Sequence, residues 1–415
     1  VIKVKVAHII NHEIGLRVHG KNYFRYLCDQ GYDVHVVCPV GDYVRGDMTT
    51  PEGIKVKSIA FPARYTPLQD WRTLRQLAAY FRGERFDIVH THTVKPGLLG
   101  RIAASRAGVP VIIHTVHGFH NWDDMSALEQ WFFLQVERLA MHFCDLLLSQ
   151  NREDIRVALH DGICRPSQIA YLGNGIDISF FDATHVDSAA TAELRRQLGV
   201  GPNEFLVGMI GRLVRLKGYY DYLAAARILV QSGVPVKFLA VGPTMPEKAD
   251  ALSPEELIAS YGLADRMIYL GVRDDIRELL AAMDVVVLAS YAEGIPRVLM
   301  EAAAMGKPAV GTDVRGTREV IVPEETGLLV PPRHPEGLAA AINRLLADRP
   351  AAECMGQAGR RRAEAQFDER DYFWRTDDVY RRLLARKHAG QGVSGLMPLP
   401  SAAPLAGTRG PVWKA

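Results

Sequence analysis

The 415-residue sequence is poor in the features that mark spanning, secreted or nucleic-acid-binding proteins. No apolar run approaches the ~20 residues needed to cross a bilayer. The five cysteines, Cys28, Cys38, Cys144, Cys164 and Cys354, are scattered and form no Cys-x-x-Cys pair. They suggest neither a disulfide framework nor a zinc site, and read as reduced core thiols of a cytoplasmic protein. Charge is nearly balanced, with 49 Lys and Arg against 47 Asp and Glu. That lacks the basic excess of a dedicated nucleic-acid binder. Val1–Val6 alternates like a strand and has no signal-peptide apolar core. With no initiator methionine, a few native residues are expected before Val1. A G-x-G-x-x-G fingerprint occurs once, at 390–395, with no strand before it or helix after it, so a dehydrogenase reading loses its main support.

What is present suits an ordinary folded chain, with 48% hydrophobic and 23% charged residues. Its length exceeds one core of ~150 residues. Short β-branched runs alternate with helical stretches throughout. Strands are expected at Lys3–Ile10, Asp33–Cys38, Ile54–Ile59, Asp87–His90, Val111–Thr115, Leu146–Ser149 and Gln168–Tyr171. The pattern then restarts at Phe205–Ile210, Val236–Val241, Met267–Leu270, Asp284–Ala289, Pro308–Thr312 and Gly327–Val330. Such alternation predicts an α/β protein with two Rossmann-like domains facing each other across a cleft. The expected divisions are 1–175, 176–367, a helix within 368–388, and a disordered Gly/Ala/Pro/Ser tail at 389–415.

Two motifs lie where α/β folds bind ligands. Glu293-Gly294-Ile295-Pro296-Arg297-Val298-Leu299-Met300-Glu301 follows a buried strand and opens a helix, with Pro296 expected at the first helical position. Amides at such a helix N-terminus suit phosphate. Glu301, one and a half turns in, could accept ribose hydroxyls, with Glu293 nearer a sugar. Gly211-Arg212-Leu213-Val214-Arg215-Leu216-Lys217-Gly218 follows the first strand of the second half. Arg212 and Lys217 could converge on a diphosphate leaving group and offset its growing charge. A third element, His114-Thr115-Val116-His117-Gly118-Phe119-His120, could bring His117 to a sugar hydroxyl. The competing readings are a structural histidine or, ranked last, a metal site with His90 and His92. Gly15 could bring its amide near the reacting group, although most loop glycines serve turns. Residues 55–106 hold ten basic against three acidic residues, which suits either anionic lipid or a solvated face. Trp131-Phe132-Phe133-Leu134 could extend such a surface, although aromatic residues at helical spacing are more often core.

Together these motifs resemble glycosyltransferase family 4, retaining enzymes of the GT-B fold, over nearly the whole chain except the tail. Finer features are similar to a bacterial surface-polysaccharide subgroup of the CapM and PglA type. They are His90-Thr91-His92-Thr93, Thr115–His120, Arg273-Asp274-Asp275-Ile276, Glu293–Leu299 and Thr312-Asp313-Val314-Arg315-Gly316-Thr317-Arg318-Glu319-Val320. The resemblance implies catalytic roles for Glu293, His117, Arg212 and Lys217. It implies donor binding by Gly15, Arg212, Lys217, Gly271, Val272, Arg273, Glu293, Gly294, Ile295, Pro296, Arg297, Val298, Leu299 and Glu301. It further implies an acceptor-side first domain and a nucleotide-sugar-binding second domain, and often a terminal helix that crosses back. The reaction would need no metal or other cofactor, taking a nucleotide sugar, expected to be a UDP-sugar, as co-substrate and retaining anomeric configuration. Two departures bear on these roles: the first loop has only Gly15 where many members have a Gly-Gly pair, and Asn121-Trp122-Asp123-Asp124 differs on the acceptor side.

The expected acceptor is a polyprenyl-linked saccharide or other glycan, met by a cytoplasmic protein with peripheral contact at the inner membrane face. Alternatives are a soluble aminoglycoside or nucleoside-antibiotic acceptor, a UDP-sugar epimerase, or a non-catalytic nucleotide-sugar-binding protein.

Overall fold

The alternating pattern folds into two parallel sheets, each wrapped by helices. The computed structural model describes residues 3–13, 16, 21–41, 44–62, 66–119, 126–245 and 251–390. The first sheet contains β1 (Lys5–Ile9), β2 (Asp33–Cys38), β3 (Met48–Thr49), β4 (Lys55–Ser58), β5 (Ile88–His92), β6 (Val111–Val116), β7 (Leu146–Ser149) and β8 (Ile169–Tyr171). Its order is β3-β4-β2-β1-β5-β6-β7-β8, parallel except for β3 against β4. Helices α1 (Lys21–Asp29), α2 (Pro67–Glu84), α3 (Val94–Ala107), α4 (Ala127–Met141) and α5 (Arg152–His160) connect these strands.

After α6 (Ser188–Gln197), the second sheet is built from β9 (Phe205–Ile210), β10 (Val236–Val241), β11 (Met267–Tyr269), β12 (Val285–Leu288), β13 (Ala309–Thr312) and β14 (Leu328–Val330). Its order is β11-β10-β9-β12-β13-β14, all parallel. Around it lie α7 (Tyr219–Gln231), α8 (Pro254–Ser260), α9 (Ile276–Ala282), α10 (Arg297–Ala304), α11 (Thr317–Val320), α12 (Pro335–Ala347) and α13 (Arg349–Gln366). A parallel strand covered on both faces needs apolar residues throughout, and Val285–Leu288 is buried at all four positions.

The last helix among the described residues, α14 (Glu369–His388), leaves the second domain and packs on the first. Its Phe373, Val379, Tyr380 and Leu383 join Val6, Val34 and Val36 in one buried cluster. Tyr32 donates to Asp377 at 2.7 Å, and Lys387 pairs with Asp145 at 2.7 Å. The two interdomain crossings run side by side. Ile176 N–H donates to the Phe367 carbonyl at 2.9 Å, and Glu369 N–H to the Ile176 carbonyl at 3.0 Å. Gly175 permits this approach, because a Cβ there would stand 2.5 Å from Glu369 Cα.

Several features depart from the sequence reading. Helices α5, α6 and α13 were not expected. In α13, Gly356 and Gly359 weaken the helical signal. Gly356 serves packing instead, since a Cβ there would lie 2.1 Å from the Gly306 carbonyl oxygen. The cysteines are not all core thiols: Cys38 and Cys144 are buried, Cys28 and Cys164 half-buried, and Cys354 exposed on α13. The basic stretch is not one outer face. Lys95 pairs inside with Asp70 at 2.6 Å, and the fully buried Arg101 pairs with Glu137 at 3.0 Å. Trp131 and Phe132 on α4 are about half exposed, at 58% and 47%, so this aromatic group is not simply core. Gly15, Asn121–Asp124 and the expected tail from 391 onward lie outside the described residues.

Candidate active site

In open parallel sheets, ligands gather at the carboxyl ends of strands where strand order reverses. In the second sheet that point lies between β9 and β12. The loops after these strands carry Gly211–Gly218 and the Glu293 motif. Tyr291 N–H donates to the Leu216 carbonyl at 2.9 Å and ties them together. Gly218, at φ +74°, lies so close to Ala289 that a Cβ would stand 1.9 Å from its carbonyl oxygen. Lys217 Nζ donates to Glu293 Oε1 at 2.5 Å. The Lys217 side chain is 17% exposed and that of Glu293 9%, so the pair is largely shielded from water but still reachable. The stem of Lys217 runs over Gly211, while Arg212 beside it is exposed.

The helix opens one residue later than expected. Pro296 is the N-cap of α10, with ψ +108°, and Arg297 begins the helix. Ile295, Pro296 and Leu299 are buried, which leaves backbone rather than side chain for a ligand. The Leu299 amide already donates to the Pro296 carbonyl at 3.2 Å. Val298 is half-buried against the same core. Arg297 donates to the Gly175 carbonyl at 2.9 Å and lies 3.6 Å from Glu301, which ties this motif to the interdomain linker. Burial raises the Glu301 carboxyl above its ordinary range, and Arg297 opposes the shift. Beyond β11, Gly271 (φ +64°) accepts the Gly242 N–H at 2.8 Å. Val272 is 70% exposed, and Arg273 is held by both oxygens of Asp275 at 2.7 and 2.5 Å.

In the first domain, order reverses between β1 and β5. His92 ends β5, and His117 follows β6 with its Nε2 3.0 Å from His92 Nδ1. Among the described residues, the rings close enough to hold a metal are His8, His90 and His92, with ligand atoms within 4.8 Å. This is not the expected His90–His92–His117 set. Every ring nitrogen of the three is engaged in a side-chain hydrogen bond.

The two domains meet directly beside these loops. Asn151 caps α5 and donates to the Gly294 carbonyl at 2.9 Å. Asp154 accepts from Phe119 N–H at 3.2 Å and lies 3.6 Å from Arg315. Burial pushes the Asp154 carboxyl up to about 6 against the pull of Arg315. Arg152 N–H donates to Glu319 at 2.5 Å, and Arg318 grips both Glu153 oxygens at 2.8 and 2.9 Å. Gly316 presses on the Glu293 loop, since a Cβ there would meet the Gly294 oxygen at 2.1 Å.

Residues 15–175 match the "Glycosyl transferase 4-like domain" family model, and residues 190–362 match "Glycosyl transferases group 1". An alpha-maltose-1-phosphate synthase from Mycolicibacterium smegmatis is 30% identical over 73% of this chain and 80% of its own length. The chain belongs to the glycosyltransferase family. A second relative of this glycosyltransferase, from Escherichia coli, is 29% identical over 79% of this chain and 84% of its own length. It is the UDP-Gal:alpha-D-GlcNAc-diphosphoundecaprenol alpha-1,3-galactosyltransferase. Sucrose-phosphate synthase from Thermosynechococcus elongatus superposes with a TM-score of 0.79 at 25% identity, covering 92% of this chain and all of that one. The two facing parallel-sheet domains are the GT-B fold, as the motifs led one to expect.

Asn151, Asp154 and Glu319 of this glycosyltransferase had no assigned role in the sequence reading. The sequence reading placed no helix at 151–160, and only the folded chain shows that Asn151 caps α5 and also holds the Gly294 carbonyl.

Proposed function

We propose that this glycosyltransferase moves a sugar from a UDP-sugar to a saccharide carried on a lipid diphosphate, with retained configuration and no metal requirement. The observation that carries the reading is the Lys217–Glu293 ion pair at the loops where strand order reverses. An arriving diphosphate competes with Glu293 for the Lys217 ammonium. Lys217, Arg212 and the start of α10 then hold the phosphates and offset charge as the sugar bond breaks. Glu293, released from Lys217, turns to the sugar, Glu301 accepts the ribose hydroxyls, and backbone near Gly271–Arg273 meets the base. His117 reaches the sugar from the other domain. Attack comes from the face the phosphate leaves, and the departing phosphate oxygen takes the acceptor proton, so no side chain acts as base. Uridine and the lipid-linked acceptor are supported by the chemistry in the name of the E. coli relative.

The direct test is UDP release and product anomer, followed by NMR, with UDP-hexoses and UDP-N-acetylhexosamines, a polyprenyl-diphosphate-linked GlcNAc, and EDTA throughout. An α-linked product from an α-donor is expected. An inverted product, or turnover that appears only when a divalent ion is restored, overturns the mechanism.

The acceptor reading requires a membrane-facing surface on the first domain, and no helix of the described residues is long and apolar enough to cross a membrane. A groove of about 390 Å³ on α2 and α3 is lined partly by Arg75, Arg82 and Arg106. Leu68 and Trp71 on α2 are 63% and 50% exposed, and Arg75 stacks over Trp71 at 4.7 Å. The protein is expected to sediment with vesicles rich in anionic lipid. Each arginine near such a surface contributes ~1 kcal/mol. Reversing Arg72, Arg75 and Arg82 together is therefore expected to weaken binding by roughly 100-fold or more. Unchanged sedimentation of that variant would remove this face from the proposal.

A further inference from the structure

Two loops carry the side chains assigned to the sugar, and one buried pair of residues holds both loops. The pair is Asn151 and Asp154 at the start of α5, 0% and 1% exposed. Phe119 lies two residues past His117, beyond a turn at Gly118 (φ +117°), and its N–H donates to Asp154 Oδ2 at 3.2 Å. Gly294 follows Glu293 in the second domain, and its carbonyl accepts from Asn151 Nδ2 at 2.9 Å. The same Nδ2 donates to Asp154 Oδ2 at 2.7 Å.

The direction of these bonds is fixed by a backbone donor. Asp154 N–H donates to Asn151 Oδ1 at 2.7 Å, so the oxygen of the amide is the atom on that side. Nδ2 then has two hydrogens and meets two acceptors, a carboxylate and a carbonyl. Turning the amide over would set its oxygen against both of them. The Asn151 backbone is anchored as well, because the buried Ser149 hydroxyl donates to its carbonyl at 2.9 Å.

A further contact closes the ring. Arg315 of the second domain lies 3.6 Å from Asp154 Oδ1 and donates to the Phe119 carbonyl at 3.4 Å. Its neighbour Gly316 packs against the Gly294 carbonyl. Gly294 is itself buried, so Asn151 rather than bulk water satisfies that carbonyl. Neither loop can shift against the other without breaking a bond to this pair. Reaction geometry is sensitive on that scale, since a displacement of about 1 Å can cost about 100-fold in rate.

We propose that the Asn151–Asp154 pair is a positioning device that sets the His117 loop and the Glu293 loop in register across the domain interface. The roles of His117 and Glu293 at the sugar rest on the donor-site reading above; the shared buried pair does not. Asn151 and Asp154 are positioning residues, which act through those two side chains.

Hydrogen–deuterium exchange of the unliganded full chain, followed by mass spectrometry, reads the register without substrate. Asn151→Ser keeps a good helix cap but cannot reach Gly294, so α5 is expected to stay protected. Exchange is expected to quicken in both 116–119 and 292–295, and to do the same in Asp154→Ala. With the UDP-sugar and polyprenyl-diphosphate-linked GlcNAc used above, kcat is expected to fall about 10-fold in each variant, the scale of one hydrogen bond. The double variant is expected to fall little further, because one cut already frees the register. UDP affinity by calorimetry is expected to stay within about threefold, since the groups assigned to UDP all belong to the second domain. Exchange that quickens in only one loop per variant overturns the shared register. So do an unchanged kcat, a multiplied loss in the double variant, or UDP affinity that falls together with turnover. Both loops loosened in a protein that transfers no sugar supports the register and overturns the donor-site reading instead.

Discussion

Lys217→Ala is expected to lower kcat/KM for the nucleotide-sugar donor about 10²–10³-fold, the usual effect of removing one group that stabilises developing charge. Two effects act together. The leaving diphosphate loses a fixed ammonium, and Glu293, only 9% exposed, loses the cation it faces at 2.5 Å. Glu293→Gln separates these effects. The amide leaves Lys217 for phosphate but cannot supply a carboxylate to the sugar. UDP should therefore bind Glu293→Gln as tightly as wild type or more so, while turnover falls by a similar factor. Calorimetric titration with UDP and steady-state kinetics on both variants distinguish the roles. If Lys217→Ala keeps turnover within about threefold, Lys217 does not carry the charge.

The largest stability effect is expected far from the cleft, at Arg101. Its side chain has no exposed surface, donates to the Gly97 carbonyl at 2.9 Å and pairs with buried Glu137 at 3.0 Å. Arg101→Met fills much of the same volume but leaves a carboxylate buried without its partner. Breaking such a pair costs about 3–5 kcal/mol. For a domain of this size that corresponds to a fall of roughly 6–20 °C in Tm. Arg101→Met/Glu137→Leu removes both charges and is expected to recover most of the loss, since an apolar replacement of a buried pair is often neutral. Scanning calorimetry of the single and double variants checks this. A single variant within about 1 kcal/mol of wild type would mean that water or another group reaches Glu137.

The contrast between these two sites shows what the sequence carries. The placement of the Glu293 and Lys217 motifs at strand ends was legible because local sequence and local structure coincide. Each glycine-bounded stretch follows an apolar strand, and the carboxyl ends of strands in open parallel sheets are where ligands usually gather. The two-domain α/β architecture followed from the same alternation, whereas the strand order came only with the structure. Arg101 and Lys95 were misread as part of a basic face, because their acidic partners come from other elements and a count of charges along the chain cannot see them. The α13 helix was hidden by Gly356 and Gly359, of which Gly356 lets it approach Gly306. Asn151 went unnoticed together with the helix it caps, and its hydrogen bond to the Gly294 carbonyl crosses to another domain. The hydrogen bonds among the buried histidines were invisible for the same reason: His8 and Tyr380, which are linked in the folded chain, lie 372 residues apart. Pairings of that range come from topology, while sequence patterns report the neighbours a residue has along its own element.

The return of α14 has a consequence for how the protein is made. The first domain is synthesised first, yet part of its buried cluster, Phe373, Val379, Tyr380 and Leu383, arrives only with α14. Domains generally fold as units as they leave the ribosome. Here the early unit emerges with an apolar gap on the face of β1 and β2, and the gap stays open while about two hundred further residues are translated. The second domain therefore folds beside an unfinished partner, which closes only once α14 has been made.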